Sequence, residues 1–492
     1  MCSFIEGNFA GRIVQRLGEK SYLIDAATGQ TLSGRDLPNL IAGFADGFLS
    51  AGLRPGDRVL IQCGLTPAST VAYLGAMYAG LVAVPAEQRL LSSSGDALLA
   101  KLRAKAVWTE DGSWHPASSN GVSQLQGSFG PKDVQSLPPM PREELDLAAL
   151  MPTSGSTGTP RLVMVSHGNL RANTEAIIRS QHLGADEKAM LVMPVSYCFG
   201  ASVMHTHLYQ GGSVVFDSRF MFPDKVLNAI NTYGCTTFAG VPVVYNILVR
   251  RSNLKFLPLH GLRRFLQAGG PLAPETILEL CKLVPTAEFF VMYGQTEATA
   301  RISCMSASCL SERLGSAGLP LDNLDVRIVD DEGQEVPKHE IGEIQVRGPS
   351  VCSGYFDDPE STEGKFVNGW LRTGDFACCD DDGYLWIKGR TDDFVKIRGL
   401  RVSVGEVEAK VAAIPGVSEC AAAAVRHPEA GEALAVFVVA EPLVADHPAD
   451  GLAERVKRAL PPHWTCASVN MVAQLPRTAN GKIARSQLQI LT

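Results

Sequence analysis

The sequence predicts an α/β protein in which two helix-covered parallel sheets are followed by a barrel-like region of short strands and a small α+β domain. Strand-like and helix-like segments alternate between Leu37 and Val284, which is typical of parallel sheets. From Arg313 the pattern changes to short strands separated by turns, and after Arg390 short strands and helices alternate again. A chain of 492 residues is long enough for several domains or subdomains.

The elements of the first sheet follow from hydrophobic spacing. Leu37–Ala51 has apolar residues at helical spacing and stops at Gly52, where helices often end. Two apolar runs, Asp57–Cys63 and Leu81–Pro85, are predicted strands, and Pro67–Tyr78 between them is a predicted helix. This order of elements predicts a parallel sheet near the N-terminus.

Residues 105–145 are weakly patterned and rich in Ser, Gly and Pro, which predicts a surface insertion. Beyond this segment the alternation resumes and predicts a second doubly wound sheet. The elements predicted from here on are helices at Asn169–Arg179, Ser202–Leu208, Pro223–Tyr233 and Pro274–Val284, strands at Glu187–Pro194, Ser213–Phe216 and Thr236–Ala239, and barrel strands at Asp325–Asp330, Gly342–Arg347 and Gly383–Lys388.

Composition and charge exclude several classes of protein. A net charge of −7 and a pI near 5.9 argue against nucleic acid or an anionic membrane as the main partner. Polar residues interrupt the longest uncharged run, Val59–Ala86, so no membrane span is expected. The twelve cysteines include no Cys-x-x-Cys pair, which argues against zinc. No signal peptide is evident, and we expect a cytoplasmic monomer or homodimer.

The first motif that carries chemistry is Met-Pro-Thr-Ser-Gly-Ser-Thr-Gly-Thr-Pro-Arg at residues 151–161. Glycines expose backbone N–H groups and hydroxyls add donors, so the loop suits a polyphosphate. It is not a Walker A loop, and the strands predicted at Leu147–Met151 and Leu162–Ser166 make it a strand-to-strand connection. A flexible surface hairpin is the alternative. The candidate phosphate-binding residues are Thr153, Ser154, Gly155, Ser156, Thr157, Gly158 and Thr159.

The second motif is Tyr293-Gly294-Gln295-Thr296-Glu297, which follows an apolar strand. Ligands of α/β sheets bind at the carboxyl ends of strands. There Tyr293 could stack on a purine, Thr296 could donate to a phosphate and Glu297 could hold Mg²⁺ through oxygen. If the motif stood alone, a strand that ends in a glycine turn would be the favoured interpretation.

Two further motifs lie towards the C-terminus. Gly369–Asp375 and Gly389–Asp393 contain Asp375, whose carboxylate could accept two ribose hydroxyls, and Arg390, which could contact the ribose or the phosphates. The segment Pro476–Lys482 places Lys482 on a glycine-containing loop. A lone lysine of this kind is usually just solvated.

In this order and at these separations, the four motifs resemble the adenylate-forming superfamily of AMP-dependent synthetases and ligases, which includes acyl- and aryl-CoA synthetases, adenylation domains of nonribosomal peptide synthetases and luciferases. The resemblance covers roughly Leu37 to Arg485. It implies an α/β fold with a large N-terminal ATP- and acid-binding domain at residues 1–391, made of two flavodoxin-like αβαβα subdomains plus a distorted β-barrel. Residues 392–492 would form a small mobile α+β domain.

The resemblance also implies a two-step reaction. A carboxylate attacks the α-phosphate of ATP to give an acyl-adenylate and pyrophosphate, and the thiol of CoA or of a carrier-protein phosphopantetheine then displaces AMP. Arg161 departs from the family, which commonly has Lys after this proline, so a lysine-specific contact cannot be assumed. The implied roles are β- and γ-phosphate binding by Thr153–Thr159, α-phosphate binding by Thr296 and Lys482, Mg²⁺ binding by Glu297, ribose binding by Asp375, further nucleotide contacts by Gly270, Tyr293, Gly294 and Arg390, a hinge at Asp392 and a thiol channel beside Gly399.

The acid pocket should begin in residues 190–200. Amino-acid-activating members of the superfamily usually have Asp at the position of Cys198, where it pairs with the α-ammonium of the substrate. A cysteine would leave that cation unpaired, which favours an aryl or aliphatic acid without an α-amino group. An amino-acid-adenylating enzyme that loads a peptidyl carrier protein is the alternative. The other expected lining residues, for each of which ordinary core packing is the competing interpretation, are Tyr197, Phe238, Ala239, Val241, Ala268, Gly269 and Gly270.

Overall fold

A computed structural model describes residues 7–111, 122–153, 160–390, 393–397, 400–427, 431–440, 451–476 and 485–488. The chain forms two compact units. The first consists of Met1–Arg327, Gln345–Thr373 and Cys379–Trp386, and the second of Ile328–Ile344, Gly374–Cys378 and Ile387–Thr492. The predicted domain boundary lies at residues 391 and 392, which are outside the described residues, and it stays a prediction.

The first sheet of the first unit has six strands, and they are parallel except for the last pair. Its buried helix Pro67–Tyr78 packs closely on Leu37–Ser50, because a Cβ at Gly75 would lie 2.5 Å from the Cβ of Phe44. In spatial order the strands are Ser123–Gln126, Ala106–Thr109, Arg58–Gln62, Val82–Ala86, Leu147–Thr153 and Arg161–Ser166.

The second sheet has nine strands, of which the central six are parallel. Together the two sheets and their helices form the two flavodoxin-like subdomains that the family resemblance implies. In spatial order the strands are Leu319–Pro320, Ser303–Cys304, Glu288–Tyr293, Arg264–Gln267, Thr237–Gly240, Lys188–Leu191, Ser213–Phe216, Tyr22–Asp25 and Thr31–Ser33.

The long helices of this α/β region each bury several residues. Helix His167–Gln181 begins with a capping box, in which Ser166 and Asn169 exchange side-chain and backbone hydrogen bonds. The α-helices are Phe9–Val14, Leu37–Ser50, Pro67–Tyr78, Gln88–Leu102, His167–Gln181, Cys198–Tyr209, Pro223–Tyr233, Pro242–Arg251 and Pro274–Leu283, and Pro359–Lys365 follows in the barrel region.

Two further sheets lie downstream. The strands of the barrel region are Asp325–Val329, Gly342–Arg347, Trp370–Cys379 and Phe366–Val367, with Leu385–Arg390 paired to Trp370–Cys379. The last sheet, in the second unit, consists of Leu400–Ser403, Phe394–Ile397, Gly431–Ala440 and Val417–His427, with Cys466–Met471 paired to Gly431–Ala440, and the helices beside it are Val404–Ala412, Leu452–Ala459 and Arg485–Leu488.

The prediction of a surface insertion at residues 105–145 is wrong in its first part. Ala106–Thr109 and Ser123–Gln126 are strands of the six-stranded sheet, and Trp108 is fully buried. Ala-Val-Trp-Thr is a short apolar run of the kind that forms buried strands, but the polar residues after it mask the signal.

No helix among the described residues combines the length and the apolarity that a membrane crossing requires.

Candidate active site

The segment after strand Glu288–Tyr293 folds back tightly on itself. A Cβ at Gly294 would lie 1.8 Å from the carbonyl oxygen of Ala300, so only glycine fits there. Thr299 and Ala300 have φ angles of 54° and 91°, a left-handed conformation that persists only where the surrounding structure enforces it. This strained backbone holds Thr296 and Glu297 on a single 3₁₀ turn.

Glu297 is oriented by a loop from the barrel region. The hydroxyl of Tyr355 donates a 2.6 Å hydrogen bond to Oε1 of Glu297, and the N–H of Cys352 donates to its backbone carbonyl at 2.9 Å. Burial, together with the charge of Glu297, raises the pKa of Tyr355, so its hydroxyl remains a donor. One oxygen of the carboxylate is therefore held in a fixed position.

Thr153 and Arg161 form the base of the glycine-rich loop. They face each other across two antiparallel strands, and the hydroxyl of Thr153 donates to the carbonyl oxygen of Arg161 at 3.4 Å. The prediction that this loop joins strand to strand is thus confirmed. The guanidinium of Arg161 lies 5.6 Å from the ring centroid of Tyr355 and 3.9 Å from a carboxylate oxygen of Asp358. Tyr355 consequently contacts both Arg161 and Glu297.

Cys198 is the first residue of helix Cys198–Tyr209, and its sulfur accepts a 3.3 Å hydrogen bond from the hydroxyl of Thr296. Burial raises the pKa of Cys198, so its thiol is neutral at neutral pH. The structure therefore brings together one residue predicted to contact the α-phosphate and one predicted to contact the acid.

Tyr197, which precedes Cys198 in sequence, lies close to two other predicted acid-pocket residues. A Cβ on Gly269, whose φ is 87°, would lie 2.9 Å from the hydroxyl of Tyr197 and 3.0 Å from Cγ1 of Val241. Tyr197, Val241 and Gly269 thus surround one point, which a larger residue than glycine would fill. Gly270 follows directly, and its carbonyl oxygen accepts a hydrogen bond from Gln267 at 2.7 Å.

Phe238, another predicted acid-pocket residue, does not lie on the same side of the sheet as Cys198. Its ring packs against Tyr245 and Phe265 in the apolar cluster on one face of the nine-stranded sheet. Ala239 and Ala268 belong to a second apolar cluster, and Cys198 packs against that cluster. Since successive side chains of a strand point to opposite faces, Ala239 rather than Phe238 shares the Cys198 side.

Asp375 and Arg390 are brought together within the second unit. Asp375 is only 5% exposed, and Nε of Arg390 donates to its Oδ1 at 3.0 Å. The guanidinium itself is largely exposed, so the buried carboxylate of Asp375 forms an ion pair with a cation at the surface. This pair suits a ligand that offers both hydroxyl groups and negative charge.

Several predicted site residues lie outside the described residues: Ser154, Gly155, Ser156, Thr157, Gly158, Thr159, Asp392, Gly399 and Lys482.

The side chains of the site also indicate how Mg²⁺ could be bound. Among the described residues no group of three or more His, Cys, Asp or Glu side chains is arranged to hold a metal. Mg²⁺ in phosphate-transfer sites is usually held by one or two carboxylates, substrate phosphates and waters. A single oriented carboxylate, Glu297, fits that mode of binding.

Two polar residues of this region escaped the sequence analysis. Tyr355 lies 58 residues from Glu297, and no local pattern marks such a long-range contact. Arg301, four residues after Glu297, is 2% exposed and interacts electrostatically with Cys198. A single charged residue between Ala300 and Ile302 was the available signal.

Comparisons with known proteins agree with this geometry. Residues 12–356 match the family model of AMP-binding enzymes, and residues 406–482 match that of the AMP-binding enzyme C-terminal domain. The chain is 32% identical to a feruloyl-CoA synthase from Amycolatopsis sp. over 467 residues, which cover 94% of each protein.

Two solved structures share the complete fold. One is ATP-bound MatB from Rhodopseudomonas palustris, with 27% identity and a TM-score of 0.81, covering 99% of this chain and 98% of MatB. The other is o-succinylbenzoate CoA synthetase (MenE) from Bacillus subtilis in complex with the acyl-adenylate OSB-AMP, with 26% identity and a TM-score of 0.80, covering 98% of both chains.

Proposed function

Because the chain belongs to the AMP-binding enzyme family and is an AMP-forming acid–thiol ligase, we propose that it uses ATP to activate an aryl or aliphatic carboxylic acid without an α-amino group and transfers the acyl group to CoA. The observation that carries this proposal is the contact between Cys198 and Thr296. At that position a neutral, half-buried thiol offers no counter-charge to an ammonium group.

The reaction has two steps. In the first, a carboxylate oxygen of the acid forms a bond to the α-phosphorus of ATP as the bond to the pyrophosphate oxygen breaks. In the second, the thiol loses its proton and its sulfur forms a bond to the acyl carbon, while the carbon–oxygen bond to AMP breaks. Both steps depend on alignment and on charge stabilisation.

The residues of this chain bind and align the reactants. Thr296 donates its hydroxyl to the α-phosphate, and the Thr153–Thr159 loop surrounds the β- and γ-phosphates with N–H and hydroxyl donors. Asp375 accepts the ribose hydroxyls, with Arg390 beside it. Lys482 offsets the negative charge where the carboxylate meets the α-phosphate. When bound, Mg²⁺ neutralises phosphate charge, and Glu297 would hold it.

The second step requires access for the thiol. We assign this step to the C-terminal domain, residues 392–492, with Asp392 as the hinge and Gly399 beside the thiol channel. The feruloyl-CoA synthase and the o-succinylbenzoate CoA synthetase that the chain resembles support CoA as the acceptor.

The test is ATP–pyrophosphate exchange with a panel of aryl acids, aliphatic acids and all proteinogenic amino acids, followed by thioester formation with CoA and with a holo carrier protein. We expect exchange with acids that lack an α-amino group only, and thioester with CoA. Cys198→Ser serves as the matched control, since it keeps a small neutral side chain. Exchange with an amino acid that is lost on changing Cys198 would identify an amino-acid-adenylating enzyme instead, and transfer to the carrier protein alone would reject CoA.

A further inference from the structure

Arg301 is a buried cation next to the predicted acid pocket. It directly follows the strained residues Thr299 and Ala300, and its carbonyl oxygen accepts a 2.9 Å hydrogen bond from Asn173. Its guanidinium donates to the sulfur of Met292 and lies 5.4 Å from the ring centroid of Phe199. The backbone is therefore fixed, and it places the charged side chain against a thioether and an aromatic ring.

Within the part of the chain that the structure describes, no carboxylate pairs with this guanidinium. The ionisable groups that act on it are the thiols of Cys198 and Cys304. Burial raises the pKa of both thiols, so neither provides a thiolate at neutral pH. Burial lowers the pKa of Arg301 to about 10, which still leaves it protonated at neutral pH.

Arg264 shows how this fold otherwise treats a buried arginine. It lies on strand Arg264–Gln267 of the nine-stranded sheet, is 9% exposed and donates to Oε1 of Glu187 at 2.5 Å. A buried charge without a counter-charge is costly, and the cost is usually offset by an ion pair. Arg264 has such a pair, whereas the described residues provide none for Arg301.

The position of Arg301 indicates where its counter-charge comes from. Thr296 and Arg301 are five residues apart in one folded segment, and they contact successive residues of the helix that starts the acid pocket, Cys198 and Phe199. In the proposed function, the reacting carboxylate meets the α-phosphate at Thr296. A second acidic group of a compact substrate would then come within reach of the guanidinium.

We propose that Arg301 binds a second carboxylate of the substrate, so that the preferred acid is a compact dicarboxylic acid. This inference rests on the proposed function and specifies its substrate class. A guanidinium presents two parallel N–H donors to a carboxylate, a geometry that neither a thioether nor an aromatic ring can use fully. The acid would bind with one carboxylate at Thr296 and the other at Arg301.

The experiment compares matched pairs of acids: aliphatic dicarboxylic acids of increasing length and an aromatic dicarboxylic acid, each with its monomethyl ester. For each pair, kcat/KM in ATP–pyrophosphate exchange is measured with the wild type and with Arg301→Met. We expect the wild type to prefer one diacid over its half-ester by at least about tenfold, since an unpaired buried charge rejects the ester. Arg301→Met should lose that preference and gain activity with the half-ester.

Two controls separate recognition from folding. Arg301→Lys keeps the charge without the forked donors and should retain a reduced preference, which keeps the test valid if the Met variant does not fold. Arg179→Met removes an exposed arginine that pairs with Asp322, and it should leave the preference unchanged.

Equal use of diacid and half-ester by the wild type, or exchange with monocarboxylic acids only, would overturn the inference while leaving the proposed function intact. Loss of both activities in equal proportion in Arg301→Met and Arg301→Lys would show that Arg301 only supports the fold. Failure of every acid in the exchange reaction would overturn the proposed function itself.

Discussion

The hydroxyl of Tyr355 donates a 2.6 Å hydrogen bond to the carboxylate of Glu297. The same tyrosine presents its ring to the guanidinium of Arg161, which ends the glycine-rich loop. One side chain thus connects the base of a predicted phosphate loop with a predicted metal ligand. Both contacts depend on residues that are far apart in the sequence, so a change at Tyr355 should affect the two features together.

Tyr355→Phe should slow acid activation and raise the Mg²⁺ concentration needed for half-maximal activity. The hydroxyl bonds a charged group, and such bonds contribute about 1.5–3 kcal/mol, which corresponds to a loss of roughly ten- to a hundredfold in rate. Pyrophosphate exchange measured against Mg²⁺ concentration tests this. Tyr384→Phe is the matched control, because it removes a hydroxyl that donates to Cys309 at 3.2 Å. Unchanged Mg²⁺ dependence in Tyr355→Phe would contradict the role assigned to the contact.

Hydrophobic periodicity and glycine placement were sufficient to predict most of the α/β region and the strand that ends before Gly294. The close approach of Ala300 explains why that glycine is required, although nothing in the sequence reveals the approach itself. Contacts between residues that are far apart in the sequence could not be predicted. Phe238 and Ala239 are both apolar neighbours, and only the strand's orientation in the sheet decides which one faces Cys198.

Stability should fall as the pH drops below about 6.5, because three histidines are buried in the first unit. Burial lowers the pKa of His167 and His205 to about 3 and that of His207 to about 4. The native state therefore keeps these rings neutral, whereas the unfolded state takes up protons as the pH falls. Each ring should cost about 1.4 kcal/mol per pH unit until its native pKa is reached. Chemical denaturation between pH 7 and pH 5 measures the slope.

His205→Phe provides the matched variant for this slope. The ring of His205 lies against Phe9 and Tyr73, with centroid distances of 5.1 Å and 5.8 Å, so phenylalanine preserves the aromatic packing. The number of protons that the variant takes up on unfolding should be smaller by about one, so its unfolding free energy should depend less steeply on pH. An unaltered slope would mean that His205 does not contribute to the acid sensitivity.

Asp392→Pro should impair thioester formation more than adenylation. Asp392, which lies outside the described residues, is the proposed hinge, and proline would fix the φ angle that must change between two working poses. Single-turnover measurements of both half-reactions separate the two effects, with Asp392→Ala as the control that leaves φ free. Parallel loss of both half-reactions in a folded Pro variant would place the hinge elsewhere.

Lys482→Ala should nearly abolish adenylation and still convert a chemically supplied acyl-adenylate to thioester. In the proposed mechanism the ammonium group offsets negative charge only while the carboxylate approaches the α-phosphate. Losing one such donor costs on the order of 3–4 kcal/mol, or about a hundred- to a thousandfold in rate. Lys482→Arg, which keeps the charge but changes its geometry, should retain part of the first step. Both half-reactions are measured on each purified variant. A solvated lysine near the terminus can be removed with little effect. Near-normal adenylation by Lys482→Ala would therefore leave the C-terminal loop without a role in the chemistry.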